Sequence, residues 1–110
     1  MAQWHDINLP RALEPGEYRA VTLDAWDLLL VNLKGSYYAV ENVCPHDGGE
    51  LSGGTIEADT VICPRHGSSF CLKTGRVLKP PAFEDLACFV VRVNEGKLQV
   101  YDEPRWDDES

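Results

Sequence analysis

This chain predicts an all-β fold, on three observations. Short apolar stretches rich in β-forming residues alternate with turn residues, no 3.6-residue apolar period runs along the chain, and no segment repeats. With 110 residues, 44% hydrophobic and 25% charged, the composition fits one packed domain rather than a disordered segment.

The elements follow in order. Pro15–Gly16 leads into a strand over Tyr18–Leu23. Leu28–Leu33 is a near-continuous apolar run, which Lys34–Gly35–Ser36 turns into Tyr37–Val43, so the pair resembles a hairpin. Thr60–Cys63 is a short strand, and Ser69–Leu72 and Arg76–Leu78 flank a turn at Lys73–Thr74–Gly75. Phe89–Asn94 and Lys97–Tyr101 flank Asn94–Glu95–Gly96, the clearest hairpin signal. The expected domain covers residues 1–103, and 104–110 is expected to be a loose acidic tail with Trp106 packing back.

Two segments break the strand rhythm. Residues 44–54 hold four glycines together with Cys44 and His46, and residues 63–69 hold Cys63, His66 and Gly67. Both are loops that follow a strand, where a rigid scaffold can bring functional side chains together. Written out, the pattern is Cys44-x-His46, sixteen residues, then Cys63-x-x-His66. Two thiolates and two imidazoles make a complete ligand set for a metal centre. Pro45 and Pro64 stiffen the loops and remove a backbone donor from each.

Several chemistries compete for this pattern. Buried core thiols with surface histidines would explain one pair, but two pairs using two of the three histidines weigh against that. A nucleophile and its base would need an orienting group and an oxyanion site, and the sequence shows neither. A tetrahedral zinc site in an interaction module remains open, although zinc fingers group like ligands around a helix. Alternating ligand types between strands fit a binuclear cluster better. Spacing alone does not assign each ligand to an iron.

Cys44–Pro45–His46 and Cys63–Pro64–Arg65–His66–Gly67, followed by Phe70 and Thr74–Gly75, resemble the Rieske [2Fe–2S] motif. LEPGEYRAV, GSYYAVENVCPH, LSGGTI, CPRHGSSFCLKTG and the PPA at 80–82 are similar to segments of soluble Rieske ferredoxins. The similarity is greatest to the small ferredoxins of bacterial aromatic-ring-hydroxylating dioxygenases. The resemblance implies a cluster-binding subdomain at about residues 43–82 and one [2Fe–2S] cluster. In it, Cys44 and Cys63 bind one iron, while His46 and His66 bind the other. It further implies a monomeric carrier, not an enzyme, that passes one electron from a flavin-containing, NAD(P)H-dependent reductase to a terminal oxygenase. Alternatives are a nitrite reductase small subunit or an accessory redox protein.

The resemblance also implies a place on the potential scale. Two ferric ions, two sulfides and two thiolates sum to zero with neutral imidazoles, so an electron is added to a neutral centre. Rieske potentials accordingly span about −150 to +300 mV, above roughly −400 mV for plant-type ferredoxins. High-potential relatives bridge their loops with a disulfide at the positions of Gly49 and Arg65, and carry a Tyr hydroxyl at the position of Phe70. Ser68 matches a Ser that donates to a bridging sulfide in those relatives. With two of these three devices missing, the expected potential is about −150 to −50 mV. His46 and His66 are expected near the surface, with Pro45, Pro64, Pro80 and Pro81 forming an apolar rim. Cys71 and Cys88 are expected to be non-ligands, and His5 to be structural or exposed.

Other features bound the partners. A formal charge of −8 repels nucleic-acid phosphates and suits steering toward a basic protein surface. The longest apolar run, Leu86–Val91, is far short of the ~18 residues a membrane helix needs, so no membrane association is expected. No basic segment followed by an apolar one opens the chain, and a cytoplasmic location is expected.

Overall fold

The computed structural model describes residues 2–23, 25–45 and 47–105. His46 and Trp106, two residues singled out above, lie outside the described residues. The strands are β1 (Trp4–Asp6), β2 (Tyr18–Leu23), β3 (Trp26–Leu33), β4 (Ser36–Glu41), β5 (Thr55–Glu57) and β6 (Thr60–Ile62). They continue as β7 (Ser69–Cys71), β8 (Val77–Lys79), β9 (Cys88–Phe89), β10 (Val91–Asn94) and β11 (Lys97–Tyr101). All pairings are antiparallel, in sheets ordered β1-β11-β10, β2-β3-β4-β9 and β5-β6-β7-β8. No helix among the described residues is long and apolar enough to cross a membrane.

The apolar run that opens β3 now has a cause. Leu29 and Val31 pack with Cys44, Val61, Cys63 and Phe70, whereas Leu28 and Leu30 pack with Leu23, Ala39, Phe89 and Val100. The sheet carrying β3 is therefore a middle layer, with β5–β8 on one face and the β1-β11-β10 sheet on the other. A strand covered on both faces reads as continuous rather than alternating hydrophobicity. Asn32, buried in that strand, is satisfied locally: its Nδ2 donates to the Leu13 carbonyl (2.7 Å) and its Oδ1 accepts the Gly35 N–H (2.7 Å).

Several differences from the sequence reading have physical reasons. The strand expected over Phe89–Asn94 is two strands, because the chain changes sheets at Val90: β9 pairs with β4 and β10 with β11. β1 was not expected, since three residues give no periodicity. It is fixed by tertiary contacts instead, Trp4 packing on Tyr101 (ring centroids 5.0 Å) beneath the Arg92 guanidinium (3.8 Å). β5 was hidden for the same reason of length. Past β11 the chain is still attached, because Arg105 exchanges two backbone hydrogen bonds with Cys88 (2.7 and 2.9 Å).

Candidate metal centre

The two loops are built to one turn plan. In the first, which follows β4, the Cys44 N–H donates to the Gly49 carbonyl (2.7 Å) and the Gly48 N–H donates to the Cys44 carbonyl (2.7 Å). In the second, between β6 and β7, the Cys63 N–H donates to the Ser68 carbonyl (2.8 Å) and the Gly67 N–H to the Cys63 carbonyl (3.2 Å). Gly48 and Gly67 hold the same left-handed position, with φ of 76° and 81°. Pro45 and Pro64 follow each Cys, where a fixed φ suits the first corner of such a turn. The same plan occurs a third time between β7 and β8. There Cys71 donates to the Arg76 carbonyl (2.8 Å) and accepts from Gly75 (2.8 Å), but Leu72 replaces the Pro.

Burial sorts the candidate residues. Cys44 is fully buried and Cys63 is 2% exposed, both in one core cluster with Leu51, Val61 and Phe70. Burial pushes the Cys63 thiol up, but the Arg65 and His66 backbone N–H groups, the Cys44 side chain and the Arg65 charge outweigh it, and the net shift is downward. The Cys44 and Cys63 side chains thus interact, in surroundings that draw the Cys63 thiol down. His66 is half-exposed, with Nε2 at 3.8 Å from Asp47 Oδ2. Pro64 and Pro80 are exposed, Pro45 and Pro81 partly so, and the neighbouring Phe83 is 84% exposed.

Two supporting side chains carry no motif signature. Asn42, at the exit of β4, is buried; its Oδ1 accepts the Leu51 and Ser52 N–H groups (2.9 and 3.0 Å). It folds the distal end of the first loop back onto the sheet. Asp47 pairs with Arg65 across the loops, Nε to Oδ2 at 2.6 Å and Nη2 to Oδ1 at 3.1 Å. Hydrogen bonds from the Arg65 side chain and the Gly49 N–H hold the Asp47 carboxyl down at about 2. Only the polarity of Asn42 and Asp47, in a stretch otherwise made of Cys, Pro, His and Gly, hinted at either role.

Removing the Asn42 carboxamide should cost stability. Asn42→Ala leaves two loop N–H groups without their acceptor, an expected loss of about 2 kcal/mol, whereas Asn42→Asp keeps the acceptor and loses less. Chemical denaturation of both variants measures this. Equal stabilities would mean that Asn42 acts only by filling space.

Ser68 is fully buried and its Oγ accepts the Ala82 N–H (2.9 Å). A hydroxyl that accepts one bond still has its own proton to donate. Ser68 therefore also ties the second loop to the segment containing Pro80 and Pro81, whose peptide bond is cis. Cys88 lies in the core within β9, and neither Cys71 nor Cys88 forms a disulfide. His5 is partly buried and pairs through Nε2 with Asp102 Oδ2 (2.7 Å), at the β1–β11 edge.

The donor set fits a cluster of mixed ligation. Two buried thiols form one corner, with the half-exposed His66 imidazole on the second loop. Among the described residues no three His, Cys, Asp or Glu side chains converge on a single-ion site.

Fold and donors together define a small antiparallel β protein whose paired loops could hold a metal centre. Residues 3–90 match the family described as Rieske [2Fe-2S] domain. Over 84 residues the chain is 39% identical to the 3-phenylpropionate/cinnamic acid dioxygenase ferredoxin subunit of Escherichia coli K12, covering 74% of this chain and 79% of that one. The structure superimposes on a chain from the complex of reduced oxygenase and oxidized ferredoxin in carbazole 1,9a-dioxygenase, with a TM-score of 0.85, 31% identity, and 94% and 97% of the two chains covered. It also resembles a putative NADH-dependent nitrite reductase small subunit from Mycobacterium tuberculosis, with a TM-score of 0.81, 29% identity, and 94% and 97% covered. The chain belongs to the Rieske [2Fe–2S] family, and its cofactor is a Rieske cluster.

Proposed function

We propose that this chain is the ferredoxin of a multicomponent ring-hydroxylating dioxygenase, with Cys44 and Cys63 on one iron and His46 and His66 on the other. It takes one electron from a flavin-containing, NAD(P)H-dependent reductase and delivers it to the terminal oxygenase. The observation that carries this reading is the pair of buried thiols at matching positions of two like turns, with a solvent-facing imidazole on the second. The bound cluster supplies a one-electron couple in the Rieske window, about −150 to +300 mV. The chain's own residues do the rest. Backbone N–H groups of Arg65 and His66 hold the Cys63 sulfur toward thiolate, and the core around Cys44 and Phe70 keeps water from the sulfur side.

Exposure of His66 leaves an edge for a partner, flanked by exposed Pro64 and Pro80, and the acidic surface suits a basic docking face. Cytoplasmic location and action as a monomer belong to the same reading. The dioxygenase ferredoxin similarity favours an oxygenase partner. The resemblance to a nitrite reductase small subunit supports a second reading, in which the electron acceptor is a nitrite reductase.

A midpoint potential of about −150 to −50 mV is expected, measured by redox titration of the visible spectrum. A value above about +150 mV would contradict the low placement. Stopped-flow reoxidation of the reduced protein separates the partners. Rapid reoxidation by a terminal oxygenase and none by a nitrite reductase supports the first reading, and the reverse supports the second. A colourless protein that binds zinc without iron or sulfide sinks both.

A further inference from the structure

Arg65 reaches out of its own turn into the other one. Its guanidinium makes two bonds to the Asp47 carboxylate and a third, from Nη1, to the Glu50 carbonyl (2.8 Å). The Asp47 carboxylate has a second tether within its own turn, the Gly49 N–H donating to Asp47 Oδ1 (2.9 Å). Gly49 itself is the floor beneath the guanidinium. A Cβ there would lie 2.6 Å from Arg65 Cζ and 2.8 Å from Nη2, so a side chain at 49 would push the guanidinium off this seat. The first turn thus presents an array of acceptors, and the second a planar fork of donors. A Lys could not reproduce that match.

The placement gives the pair its meaning. Asp47 adjoins His46 in the first turn, and Arg65 adjoins His66 and lies two residues from Cys63 in the second. We propose that Arg65 and Asp47 form an ionic latch, seated on Gly49, that closes the two ligand loops on each other and sets the separation of their ligands. They are positioning residues and touch no iron. This inference rests on the ligand assignment above.

An ionic latch differs from a covalent one in two ways. It yields to salt, because both partners are partly solvent-accessible and screened by mobile ions. It also places a cation and an anion beside the redox centre, where each alone would bias the charge of the reduced state in opposite directions.

A double-mutant cycle on the iron-loaded protein tests both properties, using Arg65→Gln, Asp47→Asn and the double variant, with Gly49→Ala as a charge-neutral probe. The readouts are the rate of cluster loss to a chelator, followed by visible bleaching, and the midpoint potential. Each single variant and Gly49→Ala should lose the cluster roughly tenfold faster. The double variant should be no worse than either single one, because the latch is already open. Arg65→Lys should recover only part of the loss. Wild-type cluster loss should accelerate with added sodium chloride, and that of Arg65→Gln should respond less.

The potentials supply the sign test. Arg65→Gln strands a carboxylate and should lower the potential, Asp47→Asn strands a guanidinium and should raise it, and the double variant should return near wild type. Loss rates within twofold of wild type, strictly multiplicative effects in the double variant, or both single variants shifting the potential the same way would overturn the latch. Wild-type protein lacking iron and sulfide would instead overturn the ligand assignment beneath it.

Discussion

Cys63→Ser should give a folded protein with no visible colour. The backbone bonds that build its turn, from Cys63 N–H to Ser68 and from Gly67 N–H to Cys63, do not involve the sulfur and survive the change. Serine is close to isosteric, so the neighbours Val61 and Phe70 need move little. What disappears is a soft, polarisable donor that two backbone N–H groups hold toward its anionic form. A serine hydroxyl titrates far above a thiol and binds iron–sulfur clusters poorly, so cluster content should fall to background. His46→Ala should do the same. Cys71→Ser is the matched control, because it alters the first residue of the third turn while leaving the paired thiols intact. Far-ultraviolet circular dichroism should be unchanged in all three variants, with iron and sulfide retained only in Cys71→Ser. Iron and sulfide at wild-type levels in Cys63→Ser would remove that residue from the ligand set.

Gly75→Ala should cause a large loss of stability for a single added methyl group. Gly75 sits at a φ of 81°, which an L side chain adopts at a cost of about 1–2 kcal/mol. It has a second problem: a Cβ there would run into the Leu86 carbonyl oxygen, a backbone atom that cannot swing aside. The Leu86 N–H donates to the Gly75 carbonyl (2.7 Å), so displacing one strand of this contact also strains the other. Together these predict a destabilisation of about 2–4 kcal/mol, a large part of the 5–15 kcal/mol that holds a typical domain. Gly16→Ala isolates the clash. Its φ is 88° but nothing lies within 4 Å of its Cβ, so only the conformational cost should appear. Thermal unfolding of the two variants measures the difference. Equal melting temperatures would mean that the Leu86 segment yields freely.

The sequence disclosed the parts of this molecule whose chemistry is local. Paired Cys and His residues in glycine-rich loops read as a metal motif because ligand type and spacing are written in adjacent positions. The β10–β11 hairpin was legible from Glu95–Gly96 for the same reason, since a two-residue turn needs no distant partner. The parts that stayed hidden depend on long-range contact. β1 exists because Trp4 finds Tyr101 and Arg92, residues about ninety positions away, and nothing in Trp-His-Asp announces that. The break at Val90 reflects which sheets lie to either side, and the apolar run through it gave no sign of the change. Arg65 stands out in the sequence at one loop position, whereas Asp47, between His46 and two glycines, carries no mark of its partner. A charged pair across two loops becomes visible only once both loops are folded.

The turn repeated at Cys44, Cys63 and Cys71 bears on how such a centre can arise. At 71–76 the same backbone plan serves as an ordinary hairpin corner, with the buried Leu72 at its second position. The scaffold therefore does not have to invent a metal-binding loop, since it already holds the shape in a plain form. All three corners begin with a Cys, and what sets the first two apart in sequence is a proline and a histidine, two side-chain differences. The shared frame is a left-handed glycine at the fifth position, Gly48, Gly67 and Gly75, on which the side chains of each corner are set.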